Sequence, residues 1–98
     1  MCERLSPDEI FDVLGHRYRR YVVAELLERD DGTTVTELVE TVSRRTDADS
    51  NRIEIGLLHS HLPRLENAHV VEYDADAGVV EPTTAVSDFE PFLEIIEE

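Results

Sequence analysis

His61-Leu62-Pro63-Arg64-Leu65-Glu66-Asn67-Ala68-His69-Val70-Val71-Glu72-Tyr73-Asp74 changes its hydrophobic period half-way along. On its upstream side Ile53, Leu57, Leu58, Leu62 and Leu65 recur at helical spacing, which predicts a helix from about Ser50 to Asn67. From Val70 the pattern becomes that of a strand, Val70-Val71-Glu72-Tyr73. A turn at Asp74-Ala75-Asp76-Ala77-Gly78 and a returning strand Val79-Val80-Glu81, limited by Pro82, complete a β-hairpin. Pro63 falls inside the helical pattern. An interior proline costs about 3 kcal/mol and kinks a helix, so a bend is expected near His59–Pro63.

Three more helices are predicted upstream. Ser6-Pro7-Asp8-Glu9 is a capping box with proline at the first helical position. Ile10, Phe11 and Leu14 follow as an apolar stripe, ended or bent by Gly15. A second helix from about Arg17 to Arg29 carries Tyr18, Tyr21, Val22, Leu26 and Leu27 on one face. Asp30-Asp31-Gly32 stops it, with Gly32 suited to a left-handed position. Thr34-Val35-Thr36-Glu37 is a second capping box, and Val35, Leu38, Val39 and Val42 form a clean amphipathic helix after it. Thr33 and Thr34 are candidates for a very short strand.

Downstream of the hairpin, Val86, Phe89, Phe92, Leu93 and Ile96 return to helical spacing. Ser87 or Asp88 can cap this tail helix, and Pro91 falls in its first turn, where proline is tolerated. The predicted order is α-α-α-α-β-β-α, mainly α with a β-hairpin. That is the winged helix-turn-helix plan, with helices three and four as the helix-turn-helix and the hairpin as the wing. A single domain over residues 1–98 is expected, its core at about 5–85 and a C-terminal helix at about 87–97 as a candidate dimerisation element.

Composition narrows the class. Hydrophobic residues make up 41% of 98, and a chain of that length buries roughly two-thirds of its surface without a metal or disulfide. The one cysteine, Cys2, has no internal partner. No apolar run approaches the roughly 20 residues of a membrane span, and no basic-then-apolar leader is present. The expectation is a soluble cytoplasmic protein. Charge is the unusual feature: 23 acidic residues against nine basic ones, a net of −14, with every basic residue an arginine. At molar salt the Debye length falls to about 3 Å and the self-repulsion is screened, so this surface suits a halophile's cytoplasm. Residues 1–65 have net −4 and residues 66–98 net −10 with no basic side chain. Any anion must therefore be held by the first two-thirds of the chain.

Two stretches carry a family resemblance. Gly15-His16-Arg17-Tyr18-Arg19-Arg20-Tyr21-Val22 resembles the arginine-rich opening of helix two in an uncharacterised haloarchaeal winged-helix family. His61 to Asp74 resembles that family's "His-Leu-Pro-basic-Leu" segment followed by "Gly-Val-Val-Glu-Tyr-Asp", and more distantly the "His-Leu, Leu, Gly-Leu-Val" segment of ArsR-type repressors. The likeness spans about residues 5–85 and implies a DNA-binding fold with a transcriptional role. The chain departs from the pattern at His69, where relatives have glycine, and in a shorter loop at 46–50.

If the domain reads DNA, the outward face of the fourth helix enters the major groove. Removing its core positions leaves Asn51, Arg52, Ile55 and His59. Arginine pairs bidentately with guanine, asparagine with adenine, and isoleucine can meet a thymine methyl. Arg44 and Arg45 are placed to touch phosphates. Arg17, Arg19 and Arg20 either join them or pair with the acidic surface. The wing tip, Asp74 and Asp76, would be repelled by phosphate. At molar salt, counterion release contributes little, so base-edge contacts and shape must carry affinity. The apolar residues of the first and last helices, Ile10, Phe11, Leu14, Phe89, Phe92, Leu93 and Ile96, are candidates for a homodimer interface.

Catalysis and cofactors are not expected, since there is no Gly-rich phosphate loop, no activated nucleophile and no zinc-ligand spacing. His59 and His61 point about 200° apart on a helix and do not suit one metal ion. The sequence thus supports two readings: a dimeric transcription regulator binding double-stranded DNA, or an acidic winged-helix interaction and dimerisation module that leaves DNA alone.

Overall fold

The computed structural model describes residues 6–29 and 31–96, without the side chain of Ile96. Cys2 and Asp30 lie outside the described residues. Helix α1 runs Pro7–Leu14, and its capping box forms in both directions. The Ser6 hydroxyl accepts from the Glu9 amide, while the Glu9 carboxylate accepts from the Ser6 amide. Pro7 has no amide to leave unpaired, and two of the remaining three at this helix start, those of Ser6 and Glu9, are thus satisfied. Helix α2, Arg17–Glu28, is capped by His16, whose Nδ1 accepts from the Tyr18 amide at 3.1 Å.

Strand β1, Thr33–Thr34, leads directly into helix α3, Val35–Arg45. The short strand expected there is present. The Thr34 hydroxyl accepts from the Glu37 amide, but only this half of the predicted capping box forms. The Glu37 carboxylate turns instead to the Thr33 hydroxyl at 2.7 Å and to Arg29. Gly32 does not take the left-handed conformation expected of it, since Gly78 is the described glycine with positive φ. Its role is close approach: a Cβ at residue 32 would stand 2.9 Å from the Glu81 Cγ and 3.1 Å from the Val80 carbonyl oxygen.

Asp49 caps the next helix, accepting from the amides of Asn51 and Arg52. This rod comprises helix α4, Ser50–Gly56, a π-helical turn, Leu57–His61, and helix α5, Leu62–Asn67. Gly56, Leu57, His61 and Leu62 keep right-handed helical dihedrals across both joints. The distortion falls where Pro63 predicts a bend, and its form is a widened turn. Pro63 has no N–H, and its ring collides with the carbonyl four residues back in a regular helix. One extra residue per turn relieves that collision, and the Leu62 amide reaches back five residues to the Leu57 carbonyl.

The rod ends in a Schellman motif. His69 donates to the Glu66 carbonyl and Val70 to the Leu65 carbonyl, both at 3.0 Å, with His69 left-handed at φ 62°. Strands β2, Val71–Asp74, and β3, Val79–Pro82, form the expected hairpin with Asp74 opposite Val79. The Asp74 carboxylate accepts from the amides of Asp76 and Ala77, and Gly78 closes the turn at φ 68°. The antiparallel sheet has the order β1-β3-β2.

After it, a 3-10 helix, Thr84–Phe89, runs straight into helix α6, Glu90–Ile96. The cap of this tail is Thr83, not Ser87 or Asp88, because the chain already turns at residue 84 and the Thr83 hydroxyl accepts from the Ala85 amide. Pro91 falls in the first turn of α6, as expected.

One cluster of buried residues joins all the helices and the sheet. Leu38, Ile53, Leu57, Leu62, Leu65 and Phe89 are fully buried within it, each worth about 1.5–3 kcal/mol of transfer free energy. The tail belongs to this core through Val86, Phe89 and Leu93. The molecule is mainly helical with a small three-stranded sheet, and no described helix is long and apolar enough to cross a membrane.

Candidate nucleic-acid interface

Burial sorts the rod into two faces. Ile53, Leu57, Leu62 and Leu65 are inside, while Asn51, Arg52, Ile55 and His59 are exposed, as the spacing predicts. Ile55 leaves 59% of its surface in water although it is a large apolar side chain. His59 and His61 separate as expected, with His59 exposed and His61 only 6% exposed.

The end of α3, the start of α2 and the start of α4 meet around an open hollow of about 520 Å³. Its lining includes Arg17, Tyr18, Arg44, Arg45, Asp47 and Arg52. Arg44 and Arg45 are exposed, and the Arg45 guanidinium also lies over the Tyr21 ring, 4.3 Å from its centre. Of the predicted contact residues, Arg44, Arg45 and Arg52 are thus brought together. His59 lies further along the rod, lining a separate hollow with Arg19, Pro63 and Arg64.

The three arginines at the start of α2 have different fates. Arg19 is buried and donates to the carbonyls of Val13 at 2.8 Å and Asp12 at 3.0 Å. Arg20 donates to the Leu14 carbonyl at 2.7 Å. Both therefore close the end of α1, where carbonyls lack helical partners, and neither serves the acidic surface. Arg17 alone turns to the hollow. Sequence reasoning left this residue unsorted. The available signal was a cation in a first turn that contains no acid, where the helix dipole disfavours it.

Beneath the hollow sits a ring cluster. Tyr18 packs edge-on against His16 and His61, at 4.9 Å and 5.6 Å between centroids, and the two imidazoles are 4.3 Å apart. Burial first, then the charges of His16, Arg19 and Arg64, push the His61 pKa down to about 4. Burial and the neighbouring Arg19, Arg17 and Arg20 also lower that of His16. Among the described residues no group of three or more His, Cys, Asp and Glu side chains is placed to hold a metal ion.

The hairpin carries the opposite charge. Glu72, Asp74, Asp76 and Glu81 are exposed, and Glu66, Glu72, Asp74 and Glu81 line an acidic hollow beside it. On the terminal helices, Ile10, Leu14, Phe89 and Leu93 are buried in the chain's own core. A second copy meeting this fold would find Phe11, Phe92 and Ile95 instead. Phe11 is 56% and Ile95 81% exposed, and Phe11 stacks edge-on to half-buried Phe92 at 5.7 Å. The Ile96 side chain lies outside the described residues.

The family described as "Domain of unknown function (DUF7344)" matches residues 11–81. No curated protein and no solved structure matches the chain.

Proposed function

We propose that this chain, which belongs to the DUF7344 family, is a winged helix-turn-helix regulator that binds double-stranded DNA with the outward face of the rod at 50–67. The observation that carries the reading is that face itself. Asn51, Arg52, Ile55 and His59 stand exposed along one rod whose other side is sealed in the core. Hydrogen-bond donors beside an exposed aliphatic group match what a major groove offers. The arginines of the neighbouring hollow supply positive charge next to that face. The lysine-free net charge of −14 supports a salt-rich cytoplasm as the working environment.

The test is a mobility-shift assay on genomic fragments in molar KCl. Saturable, sequence-selective binding that Arg52→Ala abolishes supports the reading. Absence of a shift at every salt concentration overturns it.

A second reading, an acidic interaction and dimerisation module without DNA affinity, is favoured by the acidic hairpin and by exposed Phe11 and Ile95. A chain that sediments as a dimer, becomes monomeric as Phe11→Glu and shifts no DNA fragment belongs to this second class. A homodimer joined through the same patch is compatible with the first reading too.

A further inference from the structure

Among the arginines of the described residues, four are used inside the chain. Arg19 and Arg20 bond carbonyls of α1, Arg29 pairs with Glu25 and Glu37, and Arg64 pairs with Asp12 at 2.9 Å. Arg45 rests on Tyr21. The guanidinium groups of Arg17, Arg44 and Arg52 form no hydrogen bond or ion pair with a described residue, and all three residues line the same hollow. In a chain with 23 acids and nine bases, three such guanidinium groups around one depression are against expectation. The described carboxylate lining that depression is Asp47.

The geometry points to a phosphate-binding site in this hollow, held by Arg17, Arg44 and Arg52. It deepens the DNA reading by adding Arg17, and rests on that reading for the source of the phosphate but not for the chemistry. A guanidinium offers a planar fork of N–H donors that fits two phosphate oxygens, and one anion between three cations relieves their mutual repulsion. Arg17 opens α2, where a cation weakens the helix, and nothing described in the fold compensates it. A phosphate there removes the mismatch. The site is built on fixed parts: Tyr18, in its wall, is held by His16 and His61. It also orients a duplex. A backbone anchored at the start of α2 lies beside the Arg52 end of α4, and the acidic hairpin contributes no anchor.

The experiment titrates the full chain with inorganic pyrophosphate, at constant ionic strength in KCl, while amide resonances are followed by NMR. A DNA duplex is the second probe. Shifts confined to residues around 17–18 and 44–52, weakened at least threefold by Arg17→Ala and by Arg44→Ala but not by Arg29→Ala, support the site. If pyrophosphate also displaces the duplex from the wild-type chain, the phosphate is that of nucleic acid. Pyrophosphate binding without any duplex binding leaves the site standing for a free phosphorylated ligand and sinks the DNA reading. Resonances that stay still, or an equal loss in Arg29→Ala, overturn the site. So does pyrophosphate binding that Arg17→Ala leaves unchanged.

Discussion

Arg19 Nη1 donates to His61 Nδ1 at 2.9 Å, joining the start of α2 to the π-helical turn of the rod. A guanidinium can only donate, so Nδ1 is an acceptor and the His61 ring is neutral with its proton on Nε2. The same guanidinium holds the last carbonyls of α1. One side chain thus ties α1, α2 and the rod that carries the proposed DNA-reading face.

Stability should fall on acidification before the carboxylates titrate. His61 is held near 4 against an ordinary 6.5. Between those values the unfolded chain binds a proton on this ring that the folded chain does not. The contribution is complete above pH 6.5 and is lost as the pH falls toward about 4. His16 is shifted in the same direction and adds to the slope. Urea unfolding at fixed KCl should show a slope of at most about 1.4 kcal/mol per pH unit from His61. His61→Gln, which keeps an acceptor for Arg19, should remove much of this slope; an unchanged profile would contradict the assignment.

Arg19→Ala should cost about 2–4 kcal/mol, because it leaves buried carbonyls and an imidazole nitrogen without their donor. Arg19→Lys should recover little, since one ammonium cannot reproduce the fork that reaches Val13, Asp12 and His61. Urea midpoints measure both. A loss below about 0.5 kcal/mol in the alanine variant would place Arg19 among ordinary surface residues.

Ile53 and Ile55 differ by two positions and should behave oppositely. Ile53 is fully buried, so Ile53→Ala should cost about 2–5 kcal/mol. Ile55→Ser should change stability by no more than about 0.5 kcal/mol, yet weaken duplex binding. Unfolding and binding measured on the same two variants separate core from contact surface.

His69→Gly should stabilise the chain by about 0.5–1 kcal/mol, because residue 69 sits at φ 62° in the cap that ends the rod. Thermal unfolding measures it. A destabilised variant would mean that the imidazole makes a contact worth more than the backbone strain.

Local signals were legible in the sequence, and long-range ones were not. The switch from helical to strand period at Val70, the Ser6–Glu9 box and the Pro63 distortion depend on near neighbours, and each is found in the fold. Buried Arg19 was invisible because its acceptors belong to another helix and its residue type reads as surface. Gly32 reads as a helix stop, yet its function is contact with β3, nearly fifty residues away in sequence. The arginine hollow depends on three separate elements, so spacing within any one of them could not reveal that Arg17 joins Arg44 and Arg52. In the same way, apolar stripes on the terminal helices did not show which members the chain covers itself.

The most direct test of the central claim is an NMR titration of the labelled chain in molar KCl with a duplex selected for binding. The account predicts shifts at Asn51, Arg52, Ile55 and His59, extending to Arg17 and Arg44, with the hairpin tip at Asp74–Ala77 unmoved. Shifts led by the hairpin tip, or a spectrum that no duplex perturbs, would contradict it.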